Sequence, residues 1–321
     1  SAEEFWMTPP NPTGSGRKLE AVPLSPVLGR VGNLNLRAYP VDHSIMGATA
    51  FALETSEGWI AYTGDLRLHG HRGDTTRAFV EEAARLRPLA LITEGTNVPK
   101  GRRTSEQQVH HSCLREVMAA RGGLVVADFA ARNIERLEAF LDIATQTRRR
   151  LAILAKDAYL LYAARLVDDT IPDLMADDAL AVFEELKAKP AAWEAKFIKD
   201  VYASKYVSAE EVSRNQGDYI LAFSFWDMKH LLDIKPIKGS IYLYSTSEAY
   251  TEEQGVDAWR LWNWLAFLGM RAVGFWVPET TSRRSLPKPH FTPGFHSSGH
   301  ISGDQLLEVI REIRPRYLIP V

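Results

Sequence analysis

Apolar residues fall in short blocks along the chain, and the pattern of the blocks changes near residue 100. Before it, "NLNLRAYPV" (33–41) reads as a strand, and "ATAFALETSEGWIAYTGD" (48–65) as two apolar strands around a Ser-Glu-Gly turn, the mark of a hairpin. "TTRAFVEEAARLRP" (75–88) has helical spacing, with Asp74 predicted as its cap and Pro88 as its stop. "LALIT" (89–93) is a buried strand that delivers "EGTN". After residue 100 strands and helices alternate. "TSEQQVHHSCLREVMAAR" (104–121) predicts a capped helix stopped by Gly122 and Gly123. "LVVAD" (124–128) is a strand, "ARNIERLEAFLDIATQT" (131–147) a helix and "RLAILA" (150–155) a strand. This alternation predicts a parallel sheet with covering helices. Residues 157–216 read as mostly helical. "YILAF" and "SIYLY" are further strands, and "GVDAWRLWNWLAFLG" (255–269) is an apolar helix. A Pro/Gly/Ser-rich stretch at 8–29 reads as surface, and "RRSLPKP" (283–289) as a proline-broken hinge. The end, "DQLLEVIREIRPRYLIPV", predicts an amphipathic helix and a short apolar strand. No internal repeat stands out.

Composition narrows the class of protein. The 321 residues are 45% apolar, enough for a real core and for about two domains. The 38 basic and 40 acidic residues give a net charge of −2. No global basic field therefore advertises nucleic acid, and an anionic substrate would need local positive charge or metal ions. The single cysteine, Cys113, cannot form an internal disulfide, which points to a reducing cytoplasm. No apolar run is long enough to span a bilayer, so no membrane role is expected.

Three places carry candidate chemistry. In "VDHSIMGATAF…YTGDLRLHG", His43 follows one predicted strand and Asp65 another. An imidazole and a carboxylate at neighbouring strand ends suit zinc or manganese; the alternative is a turn histidine beside an Asx-turn. Glu94 follows the strand "LALIT" and is either a cap or a site residue. In "HSSGH", Gly299 permits a close backbone approach, while Ser302 and Asp304 can cap the helix that follows. His296, Ser298 and His300 beside that helix start form either a phosphate cradle or a decorated cap. The basic "QTRRRLA" reads as a solvated helix end, Trp259, Trp262 and Trp264 as core or interface aromatics, His110 and His111 as without a role, and His69 and His71 as loop histidines that could approach the site, although most such histidines do nothing.

Taken in order, "DHS", "TGDLR", "TEGTN…TSEQQV", "ADFAARNIERL", "HSSGH" and "RPRYLIPV" resemble the β-CASP branch of the metallo-β-lactamase fold, ribonuclease J and its relatives above all. The resemblance spans nearly the whole chain. It implies an α/β fold: an incomplete metallo-β-lactamase αββα sandwich over 1–100 and 285–321, with an inserted β-CASP domain, a parallel sheet flanked by helices, over 101–284. It implies His43 as a metal ligand, Asp65 as the carboxylate bridging two zinc ions, and Glu94 paired with His300, the acid that protonates the leaving oxygen. It also implies His296, Ser298 and Gly299 as the phosphate-holding loop. The implied activity is zinc-dependent hydrolysis of RNA phosphodiesters in RNA processing or decay, with manganese an alternative metal, RNA the partner and a homodimer admitted. Three departures qualify it. The family's upstream His-x-His-x-Asp-His motif is nowhere in the sequence, and its last ligand histidine follows a strand like "LIPV", where the chain stops. A Thr-Gly-Ser-type loop is also missing near "YILAFSFWD". The expectation is therefore a fragment of a longer enzyme, with little metal and no activity by itself. The rival expectations are a catalytically silent scaffold that binds RNA or a partner, and a DNA-directed β-CASP nuclease.

Overall fold

The computed structural model of the chain describes residues 28–98, 104–130, 132–187, 194, 203–247, 252–279 and 288–321. Most of the predicted Pro/Gly/Ser-rich segment, hinge residues 283–287 and both predicted domain boundaries, 100/101 and 284/285, lie outside the described residues.

The described residues form a mixed α/β structure around two large sheets. In chain order the elements are β1 (Leu28–Val31), β2 (Leu34–Pro40), β3 (Thr49–Thr55), β4 (Gly58–Tyr62), α1 (Gly73–Leu86), β5 (Ala90–Thr93), α2 (Glu106–Ala119), β6 (Val125–Asp128), α3 (Ile134–Gln146), β7 (Arg150–Leu154), α4 (Ala155–Arg165), β8 (Leu180–Phe183), β9 (Tyr206–Val207), β10 (Tyr219–Leu221), β11 (Ile241–Tyr244), α5 (Glu252–Leu268), β12 (Arg271–Val273), β13 (Phe275–Trp276), β14 (His290–Phe291), α6 (Gly303–Ile313) and β15 (Tyr317–Pro320).

The first sheet has six strands in the order β1-β2-β3-β4-β5-β15. The first four pair antiparallel; β5 joins β4, and β15 joins β5, in parallel. The predicted hairpin is β3–β4, closed at Thr55 and Gly58. One face of this sheet buries Ala50, Ala52, Ala61 and Leu91 against α1 and α6. Helix α1 turns Thr76, Phe79, Val80 and Ala83 inward, and α6 turns Leu306, Val309 and Ile313. These spacings are the apolar stripes of two amphipathic helices. The helix–Arg–Pro–strand runs α1–β5 and α6–β15 are alike: Arg87 and Arg314 both end their helices in the left-handed region, at φ 49° and 52°. Each is followed by proline and then by one of two adjacent parallel strands, a similarity too short to register as a repeat.

The second sheet has seven strands in the order β12-β11-β6-β10-β7-β8-β9, every pair parallel. Successive residues feed two separate cores. Val125, Ala127, Leu151 and Ile153 face one, and Leu124, Val126, Ala152 and Leu154 face the other. The half-buried Trp259, Trp262 and Trp264 of α5 pack against the second core, as their apolar helix predicts.

Four local expectations are corrected. Asp74 does not cap α1; Arg72 holds that position without a side-chain bond, and Asp74 lies in the first turn, where its charge meets the positive helix end. Likewise Ser302 alone caps α6, accepting from the Gln305 N–H, while Asp304 sits in the first turn. The described residues of 157–216 are not mostly helical: α4 stops at Arg165, β8 and β9 follow, and a short helix at Ala209–Arg214 comes after them. "LAVF" is buried on both faces, so it lacks the alternation that marks a half-exposed strand. Finally, "QTRRRLA" is not wholly solvated. Arg149 is buried, and its guanidinium donates to the carbonyls of Ala120, Gly123 and Tyr219.

Candidate functional site

The ends of β2, β4 and β5 and the loop before α6 meet at one place. His43 follows β2, Asp65 follows β4, Glu94 follows β5, and 295–300 precedes α6. The loop is held by several bonds. Ile301 N–H donates to Leu66 O at 2.7 Å. Asn97 Nδ2 donates to Ser298 Oγ at 3.1 Å and to His300 O at 3.3 Å, and His300 N–H donates to Ser298 Oγ at 3.2 Å. Ser298 is buried, so its hydroxyl oxygen organises the loop as an acceptor.

Glu94 and His300 meet although 206 residues separate them: Nδ1 of His300 lies 2.8 Å from Oε2 of Glu94. The other carboxylate oxygen of Glu94 accepts from Leu66 N–H at 2.9 Å. A carboxylate can only accept, so Nδ1 of His300 carries the proton and Nε2 is left for chemistry. His43 is fixed in the same way: its Nδ1–H donates to Gly299 O, which assigns any metal bond to Nε2. Burial pulls the pKa of His43 below its usual value. The neutral imidazole, the form that binds metal, is thus favoured. The two imidazoles face each other edge to face, 5.1 Å between centroids. Gly299 allows this approach, because a β-carbon there would lie 2.5 Å from Ser44 Oγ and 2.6 Å from His43 Cε1.

One ligand atom each from His43, Asp65 and His300 lies within 4.8 Å of the other two. Two imidazoles, one carboxylate and an open side form the donor set of a catalytic zinc. Asp65 is the exposed member, with Oδ1 4.0 Å from His300 Nδ1. The residues therefore fit a divalent metal. The group includes His300, which sequence reasoning had assigned to proton transfer rather than to the metal.

His296, Ser298 and Gly299 line a cleft of about 500 Å³ together with His43, His300 and Arg132. Three further groups behind it escaped the sequence. His69, a loop histidine free by sequence to approach the site or to do nothing, points Nε2 at Ser298 O, 2.9 Å away, and burial lowers its pKa. Arg67, fully buried, pairs with Asp42 at 3.2 Å, with Glu106 at 2.9 Å and with Glu135. Arg136, also buried, holds the second oxygen of Glu106 at 2.7 Å and donates to Ser245. Burial raises the Glu106 carboxyl, but Arg136 and Arg67 outweigh it and hold the pKa below the usual value. Ser245 in turn donates to Phe295 O at 2.7 Å. This charged seam ties the loop 295–300 to α2 and α3. Its signal was in "TGDLR" and "TSEQQV", quoted as motifs with no role given to Arg67 or Glu106.

The site and sheets define an α/β protein with a His/Asp metal-type cluster at strand ends. No family model matches the chain. A stretch of 132 residues, 40% of the chain, is 30% identical to Ribonuclease J 2 of Staphylococcus epidermidis and 29% identical to that of Staphylococcus aureus. It spans 23% of the length of these relatives, a distant and partial relationship to ribonuclease J. Among solved structures, a protein of unknown function from Enterococcus faecalis V583 matches 97% of this chain and 64% of its own, at a TM-score of 0.68 and 20% identity. That likeness is one of fold. No helix among the described residues is long and apolar enough to cross a membrane.

Proposed function

We propose that the protein carrying this sequence is a metal-dependent nuclease that hydrolyses RNA phosphodiester bonds. The six-stranded sheet is read as metallo-β-lactamase-type, the seven-stranded sheet as an inserted β-CASP domain. The observation that carries the reading is the meeting of Glu94, His300, His43 and Asp65 from four distant segments, with His43 and His300 lining one cleft; the ribonuclease J relatives supply the substrate class. His43 and Asp65 would supply two ligands to the metal, zinc or manganese, and His300, the third donor of the group, is kept for the proton. A divalent metal there supplies Lewis acidity and a water of lowered pKa. His300, oriented by Glu94, donates a proton to the leaving oxygen. His296, Ser298 and Gly299 hold the phosphate, and Arg132 adds a positive charge to the cleft.

Hydrolysis of a labelled single-stranded RNA by the full protein that carries this sequence, with zinc or manganese added, tests this. Activity should disappear with a chelator and in His43→Ala and Asp65→Ala. Cleavage that persists without metal refutes the reading, and preference for DNA of the same sequence replaces the substrate class.

A further inference from the structure

A second cavity, of about 240 Å³, opens at the carboxyl ends of β6, β10 and β11. Ligands of open parallel sheets collect at this edge. The cavity adjoins the candidate cleft, because Thr246 and Ser247 line both. The two have opposite chemistry. The cleft is lined by three histidines and Arg132. The second cavity has no lysine, arginine or histidine among its described lining residues; it has carboxyl groups from Asp128 and Asp257 and rings from Phe225, Trp226 and Tyr244. The neighbouring guanidinium, Arg260, is engaged: it lies 5.2 Å over the Phe225 ring and 3.4 Å from Asp257. A phosphate therefore meets carboxyl groups and no cationic side chain among the described lining residues. Trp226 is 70% exposed, a large flat ring at the cavity wall. At 240 Å³ the space is below the roughly 300–1,000 Å³ of drug-sized sites, so one planar ring system fills it.

We propose that this cavity is a base subsite: it takes an unpaired nucleobase bearing an exocyclic amine, stacked on Trp226 and donating to the carboxyl oxygens, while the adjoining phosphate lies in the cleft. The proposal rests on the nuclease reading and goes further, because it assigns a base preference. Cytosine and uracil separate its parts, since the amine of cytosine is replaced by a carbonyl in uracil, and a wall of acceptors repels that oxygen.

The test is fluorescence anisotropy of labelled hexacytidylate and hexauridylate RNA with the chain in chelator, so that nothing is cleaved, at pH 8, above the raised pKa of Asp128. Hexacytidylate should bind more tightly. Trp226→Ala, which removes an exposed side chain and leaves both cores intact, should weaken hexacytidylate about ten-fold, within the ~5- to 150-fold that one stacked base is worth. Asp257→Asn should reduce the preference for cytosine. Equal binding of the two RNAs overturns the acceptor wall. Binding unchanged in Trp226→Ala overturns the subsite while leaving the nuclease reading intact. An unaltered chain that binds neither RNA overturns the nuclease reading and the subsite with it.

Discussion

The two sheets are built on opposite terms. The seven-stranded sheet is buried on both faces, and β6, β8 and β10 are buried at every residue. The six-stranded sheet buries one face under α1 and α6; β2 is mostly half-exposed, and every residue of β15 is exposed. A parallel sheet with two covered faces reads as continuous apolar runs, and a sheet with one covered face as alternation. The chemistry sits with the less buried sheet. His43, Asp65 and Glu94 all leave its strand ends, where side chains are not yet committed to a core. The more buried sheet contributes rigidity through the Arg67–Glu106–Arg136 seam, which reaches Ser245 and Phe295.

This contrast predicts where the molecule is sensitive. Phe140, fully buried in a core of the seven-stranded sheet, should cost about 3–5 kcal/mol when changed to alanine. Leu318, 47% exposed on β15, should cost no more than about 0.5 kcal/mol. Urea titration of both variants checks the pair; equal losses would break the comparison. The seam should be nearly as sensitive as the core. Arg67→Met leaves Asp42, Glu106 and Glu135 without their shared cation, and breaking a buried charge network from one side costs about 3–5 kcal/mol. Loss below ~1 kcal/mol would mean that the seam is decoration.

A smaller effect is expected at Gly299→Ala. Its new methyl displaces Ser44 or the His43 ring, so zinc or manganese affinity should fall more than thermal stability. A calorimetric titration with the metal alone, beside a melting curve, separates the two. The last of these effects is a matter of pH. Burial raises the pKa of Asp128 to about 7, with the Tyr242 hydroxyl donating to it at 2.7 Å. A carboxyl raised on folding stabilises fully below its ordinary pKa, 3.8, and that share is lost as pH rises to about 7. Asp128→Asn keeps an acceptor for Tyr242 and carries no charge. It should melt higher than the unaltered chain at pH 8, and the advantage should vanish at pH 4. An advantage independent of pH would contradict the assignment.

The same contrast explains what could be read from the chain. The hairpin, α2 with its Ser105–Gln108 box, and the strands that deliver His43, Asp65 and Glu94 followed from local pattern, because capping and alternation are local. The strand "LAVF" did not, since four residues buried on both faces offer no period to count. Arg149 and Arg67 were opaque for another reason. A charged side chain reads as solvated unless its partners are known, and those of Arg67 include Glu106, Glu135 and Ser298 O, up to 231 residues away. The Glu94–His300 pairing was expected only through the family resemblance; neither residue's neighbourhood in sequence hints at the other.

The central claim is that His300, oriented by Glu94, moves a proton at a metal-dependent phosphodiester site. Single-turnover hydrolysis of single-stranded RNA by His300→Ala, with bound metal measured in the same samples, tests it most directly. The account predicts a rate about 10²–10⁴-fold lower with metal occupancy unchanged. An unchanged rate with metal bound would show that this histidine is not the acid. A rate and an occupancy that fall together would make His300 the third metal ligand of the His43–Asp65 group and contradict its role as the acid.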